Sequence, residues 1–259
     1  MGYPILRGAM REKVPAAKPM PRDAENGGDD GPVYPMALPS EAELAALKRW
    51  KRQHWVEFAL LALERGGVEA VRIEDLARRS GRTPGSFYSH FRNREALLDA
   101  MAEDWLRRRM AQVEWVHAFL RRTGRFTLSG ILRDAADRRV GRWTGRSRSD
   151  LELAMRIWAR GDPRALRAVR RIDAVRIANA REMVLAECPR AKHPTEIGLL
   201  LNWILAGRHI VFLDPSGPPL PAEGDGAAEL LLELARADAG PGRAAPGSPR
   251  DPAARRRRT

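Results

Sequence analysis

The chain has 259 residues, with 46 lysines and arginines against 33 aspartates and glutamates, a net charge of +13 and one cysteine, Cys188. That length accommodates one large or two ordinary domains with a proper core, and a lone cysteine excludes an internal disulfide and any multi-cysteine metal site. The most apolar stretch, IGLLLNWILAG from Ile197, is broken by Asn202 and runs into Arg208 short of the roughly 18 residues a membrane helix needs, and no apolar signal-peptide core opens the chain; a cytoplasmic protein is expected.

Residues 1–39 carry prolines, glycines and scattered charges without a sustained period, and are expected to form a disordered extension. At Ser40 the sequence SEAE makes a capping box with Glu43. The apolar positions Leu44, Leu47, Trp50, Val56, Leu60, Leu61 and Leu63 then predict one helix as far as Gly66-Gly67. A second helix is predicted from about Ile73 to Ser80, where Ile73, Leu76 and Ala77 form one stripe and Gly81 supplies a left-handed stop. Thr83 can cap a third helix, and Pro84 suits its first turn. Phe87 and Phe91 lie one turn apart and point inward, which rotates Ser86, Ser89 and His90 outward. Asn93 caps a long fourth helix with Leu97, Leu98, Met101 and Trp105 on its inner face. Two helices joined by a glycine turn, the second opening on small polar residues, read as a helix-turn-helix whose second helix enters a DNA groove.

The run TPGSFYSHF followed by RNREALLDA resembles the recognition helix and following helix of the TetR family of one-component bacterial transcription regulators, over about Leu44 to Leu106. Arg72 departs from that pattern, which has a Thr or Ser cap there, as does Arg82, which replaces a small apolar residue; Arg94 replaces a lysine. The resemblance implies an all-α homodimer with an N-terminal helix-turn-helix domain, expected at 40–104, and a C-terminal helical ligand-binding and dimerisation domain, expected at 105–238. Thr83, Pro84, Gly85 and Ser86 begin the reader helix, where hydroxyls can meet base edges and glycine lets the backbone approach. Thr83 has a plainer role as a cap. Tyr88 and His90 match family positions that hold phosphate, Ser89 shares their open side, and Arg82 and Arg94 are candidate phosphate contacts. Arg94 sits at a helix N-terminus, where a cation opposes the dipole unless an anion lies nearby.

From Arg107 to Asp238 the pattern is helical, with breaks at Thr123-Gly124, 140–149 and 213–226. Asp162-Pro163 starts a helix that runs to about Glu187, and Pro194 opens the next. There Ile197, Leu200, Leu201, Ile204 and Leu205 share a face that Leu199 and Trp203 widen; Ala227, Leu230, Leu231 and Leu234 repeat the pattern in the last helix. Two helices this apolar need a surface beyond their own domain. The expected partner is a second copy, with Ile197, Leu200, Leu201, Ile204, Leu205, Leu230, Leu231 and Leu234 at the interface, as in the four-helix bundle of the TetR family. Two-fold symmetry then predicts a palindromic operator with half-sites roughly 34–36 Å apart. The resemblance also implies a small-molecule effector, for which Trp115, Phe119, Met155, Trp158, Trp203 and His209 are candidate lining residues; taken singly, each is more readily explained as ordinary core. Residues 239–259 form a Pro/Gly/Arg tail expected to be disordered.

Charge is unevenly spread. Residues 41–104 hold eleven cations and eleven anions, whereas 105–181 hold twenty and seven. Within the reader, residues 72–94 carry six arginines against Glu74 and Asp75, the local excess that meets phosphate. The arginine-rich stretch suggests an anionic effector or acidic partner, beside the plainer reading of a solvated surface. His54, His90, His117, His193 and His209 lack metal-ligand spacing, and neither GxSxG nor a phosphate-cradling glycine loop occurs, so no enzyme activity, cofactor or metal is expected. The expected function is a sequence-specific DNA-binding transcriptional regulator, a repressor relieved by its effector. The alternative is a helical dimeric scaffold that has lost specific DNA recognition.

Overall fold

A computed structural model describes residues 38–136, 151–211 and 224–240, and the regular structure among them is entirely helical. The elements are α1 (Glu41–Ala46), α2 (Arg52–Gly66), a 3₁₀ turn (Val68–Ala70), α3 (Ile73–Ser80), α4 (Pro84–Tyr88), α5 (Arg94–Arg122), α6 (Leu128–Ala136), the helical residues 151–158 as α7, α8 (Pro163–Glu187), α9 (Pro194–Val211) and α10 (Gly224–Ala239). Most of the expected extension at 1–39 and tail at 239–259 lies outside the described residues, as does the break at 140–149.

The first predicted helix is two. Ser40 caps α1 through the expected capping box with Glu43, but Leu47 is extended and α2 begins only at Arg52. Burial of Trp50 accounts for the break. Its indole N–H donates to the Leu44 carbonyl at 2.9 Å, which also accepts the Leu47 backbone N–H at 3.2 Å. Its ring lies 4.8 Å from Trp55 and 5.3 Å from Phe58. At the start of α2, the His54 ring nitrogen accepts the Lys51 backbone N–H at 3.1 Å, so this histidine acts as a helix cap.

The later signals produce the elements they predict. Gly81 adopts φ 67°, ψ 25°, a conformation glycine reaches without steric penalty, and the Arg82 N–H folds back onto the Ala77 carbonyl at 2.8 Å. Thr83 Oγ1 accepts from Ser86 N at 3.2 Å, and Asn93 Oδ1 accepts from Ala96 N at 2.9 Å. Asp162 caps α8 by accepting from Arg164 N. Phe87 and Phe91 stack inward with centroids 5.4 Å apart, and Phe87 meets Trp55 edge-on.

The packing divides along α8. Its first half, through Ala165 and Ile172, joins α7 residues Met155 and Trp158 to a core shared with α2, α3, α4 and α5. Its second half, through Ala180 and Val184, packs with Leu128 and Leu132 of α6, Ile197 and Leu201 of α9, and Leu231 of α10. At Gly198 an added Cβ would lie 3.0 Å from Arg181 N and 3.2 Å from both Ala180 Cβ and the Ile177 carbonyl. Glycine there lets α9 settle directly on the backbone of α8.

Ion pairs between these helices include Arg108, Arg109, Arg156 and Arg176, four of the twenty arginines of the stretch 105–181. Glu152, 4 % exposed, meets Arg109 Nε at 3.3 Å, Arg176 Nη1 at 2.9 Å and Arg156 Nη2 at 3.0 Å; Arg156 also holds Asp173 at 2.7 Å. Burial would push the Glu152 carboxyl up, but these guanidiniums hold it well below its usual range, at about 2. Nearer the reader, Arg108 bridges Glu57 and Asp104, each at 2.6 Å. The positive excess at 105–181 is thus partly internal structure.

Candidate nucleic-acid interface and effector surfaces

The turn at Gly81 sets α4 on the surface with Phe87 as its buried anchor, and α4 presents one open side. Thr83, Pro84, Gly85 and Ser89 are exposed, Ser86 and His90 partly so, and Tyr88 is 53 % exposed. Ser89 Oγ donates to the Ser86 carbonyl at 2.7 Å. Thr83 Oγ1, as the cap acceptor, keeps its hydroxyl proton available for another partner.

Two of the expected phosphate contacts are engaged within the fold. Arg94 donates Nε to the Val71 carbonyl at 2.6 Å and Nη2 to the Val68 carbonyl at 2.7 Å. The guanidinium at the α5 N-terminus is thereby solvated from within, by neutral carbonyls at either end of the 3₁₀ turn. Arg82 donates to the carbonyls of Leu47 and Lys48 and lies 5.6 Å from the Trp50 ring, closing the gap between α1 and α2. Both arginines therefore hold the domain together in addition to any role toward phosphate. Arg72, where a cap was missing, donates instead to the Glu69 carbonyl at 3.2 Å.

Other cations, which a single continuous helix would have dispersed, gather where α1 gives way to α2, a segment that Arg82 ties to the turn before α4. Lys48, Arg49, Lys51 and Arg52 are all exposed. Arg52 lies 4.6 Å over the Phe91 ring. The run KRWKR was the available signal: four cations around one tryptophan suit a segment anchored at Trp50 with its charges in water.

Residues 58–101 match the family model for bacterial regulatory proteins of the tetR family. The chain carries the N-terminal domain of the TetR family. A solved structure assigned to the TetR-family transcriptional regulators, from Rhodococcus sp., superposes with a TM-score of 0.50, covering 73 % of this chain and 98 % of that one at 18 % identity; this likeness establishes the fold. No curated protein matches the chain. The TetR-family domain, with its helix-turn-helix, makes the chain a DNA-binding transcription regulator. Among the described residues, no helix is long and apolar enough to cross a membrane.

Behind the TetR-family domain, the candidate pocket residues fall in different surroundings. Trp115 and Phe119 stack at 6.2 Å, Met155 and Trp158 are buried in the core next to the reader, and Trp203 is 59 % exposed; the His209 side chain lies outside the described residues. A groove of about 360 Å³ opens instead between α5 and α8, lined by Met110, Val113, Glu114, His117, Arg121 and Asn179 among others. The α5 members recur at the same i, i+3, i+4 spacing as a core stripe, but their polar types read as surface. Burial, with Arg121 alongside, pushes the His117 imidazole down to about 4, and burial raises the Glu114 carboxyl.

The expected dimer face also divides. Ile197, Leu201 and Leu231 are buried within the chain's own core. Leu200, Ile204, Leu230 and Leu234 are exposed, together with Trp203, while the Leu205 side chain lies outside the described residues. The inward half is corrected from interface to core.

Proposed function

We propose that the chain is a homodimeric, effector-responsive repressor that reads a palindromic operator. The observation that carries this reading is the open side of α4, where Thr83, Gly85, Ser86 and Tyr88 stand clear of the fold that Phe87 anchors. On this reading Thr83, Pro84, Gly85 and Ser86 meet base edges, while Tyr88, Ser89 and His90 hold backbone phosphate. Lys48, Arg49, Lys51 and Arg52 supply cationic contacts. Residues 40–104 form the reader and 105–238 the regulatory and dimerising part, with α5 continuous across the division. Leu200, Trp203, Ile204, Leu230 and Leu234 seal the dimer, and the α5–α8 groove receives the effector. An effector that prefers one dimer geometry shifts DNA affinity by that preference, typically about 1–3 kcal/mol.

The test is fluorescence anisotropy on DNA from upstream of the chain's own gene and on scrambled DNA, over a salt series. Tight binding that prefers a palindromic fragment and falls steeply with salt supports the reading. Lys48→Ala removes one phosphate contact from each reader of the dimer and should lower the log–log salt slope by about 1.8. Absence of binding to either DNA at low salt favours the scaffold alternative.

A further inference from the structure

A second groove, of about 630 Å³, lies between the reader and the helices behind it, within the size range of small-molecule sites. One wall is the end of α2, the 3₁₀ turn and the first turns of α5; the other is α7 and the turn into α8. Leu63, Val68, Leu98, Ala154 and Trp158 give it an apolar lining, completed by Ile157. Ile157 is 59 % exposed, although Ala154 and Trp158 on the same helix are buried. A branched apolar side chain left wet within a concavity is surface that an apolar ligand would cover favourably.

The charged lining has the sign opposite to the whole chain. Glu64, Glu69, Glu95 and Asp162 share the lining with one cation, Arg94, which donates to the Val71 and Val68 carbonyls and lies 3.8 Å from Glu95. Arg164 approaches from α8, bridging Asp162 at 3.0 Å and Glu95 at 2.6 Å. Glu69 and Glu95 remain exposed, and they belong to the reader-side wall. In a chain of net charge +13, such an acidic rim attracts cations that the rest of the surface repels.

We infer that this groove binds an amphipathic organic cation, with its apolar body along Ile157 and Trp158 and its charge beside Glu69 and Glu95. The site does not depend on the α5–α8 groove or on DNA, so its test is independent of the proposed function. Full-length protein is titrated calorimetrically with tetraphenylphosphonium and, in sodium buffer, with tetraphenylborate, two ions of like shape and opposite charge. Tetraphenylphosphonium should bind once per chain. Ile157→Lys, at an exposed position, should weaken that binding at least tenfold with Tm unchanged, and Glu69→Gln should weaken it about threefold. Tetraphenylborate should show no binding sensitive to Ile157→Lys. Three results overturn the assignment: equal Ile157-sensitive binding of both ions, tetraphenylphosphonium binding that ignores Ile157→Lys, or no binding of tetraphenylphosphonium at millimolar concentration.

Discussion

A Cβ added at Gly85 would meet nothing nearer than Thr83 Oγ1 at 3.8 Å, so the fold itself does not require glycine in α4. Gly85→Ala should stabilise the protein by about 0.4–1 kcal/mol, chiefly by restricting the unfolded chain, while weakening DNA binding at least tenfold if the backbone approaches base edges there. Thermal unfolding and anisotropy on the same variant separate the two effects. Arg94 predicts the opposite pattern. Its guanidinium satisfies two backbone carbonyls, and a hydrogen bond involving a charged group contributes about 1.5–3 kcal/mol, so Arg94→Ala should lower stability by roughly that much. The salt slope of DNA binding should stay unchanged in that variant, measured at a temperature where it remains folded. A slope reduced by about 1.8, one phosphate for each reader, would return Arg94 to the phosphate backbone.

Among the elements, α5 carries the clearest pH signature. His117 stays neutral in the folded chain down to about pH 4, whereas in the unfolded chain it takes up a proton near 6.5. Between those values the unfolded state binds more protons, so stability falls as pH falls, by up to about 1.4 kcal/mol per pH unit. Urea unfolding from pH 6.5 to 5 should show a flatter dependence in His117→Gln than in the parent chain. The helices themselves were legible wherever caps and stops are local chemistry: Gly81, Thr83-Pro84, Asn93 and Asp162-Pro163 each mark a boundary within a few residues. The break between α1 and α2 was not, because Leu44, Leu47 and Trp50 continue an apolar pattern that only the tertiary burial of Trp50 interrupts. The carbonyl contacts of Arg82 and Arg94 were not legible for a related reason. Charge in a sequence does not say whether a guanidinium meets solvent, phosphate or a carbonyl distant along the chain. The α4 surface was readable because a buried Phe87 and Phe91 fix which side remains open, whereas the grooves depend on how non-adjacent helices pack.

At the scale of the molecule, periodicity identified apolar helices near the C-terminus without separating their inward and outward sides. The outward residues Trp203 and Leu230, 59 % and 68 % exposed, provide the sharper test of association. Trp203→Glu with Leu230→Glu should yield a folded monomer by analytical ultracentrifugation, with helical circular dichroism intact. Leu201→Arg, at a site 2 % exposed, should unfold the chain instead, because it buries an unpaired charge. A dimer persisting in the double variant would place the interface elsewhere. One further consequence belongs to α5. Its 29 residues extend about 43 Å at 1.5 Å per residue, with the reader packed on its first turns and Glu152 gripping Arg109 in its middle. Pivoting the rod by about 5° at Arg109 would sweep its reader end, about 22 Å away at 1.5 Å per residue, through an arc of about 2 Å. In the proposed two-fold pair the arcs run in opposite senses, changing the reader separation by up to about 4 Å against the roughly 34 Å between successive grooves. If the chain pairs as proposed, an angular adjustment too slight to disturb the core becomes a misfit between two readers and one DNA helix.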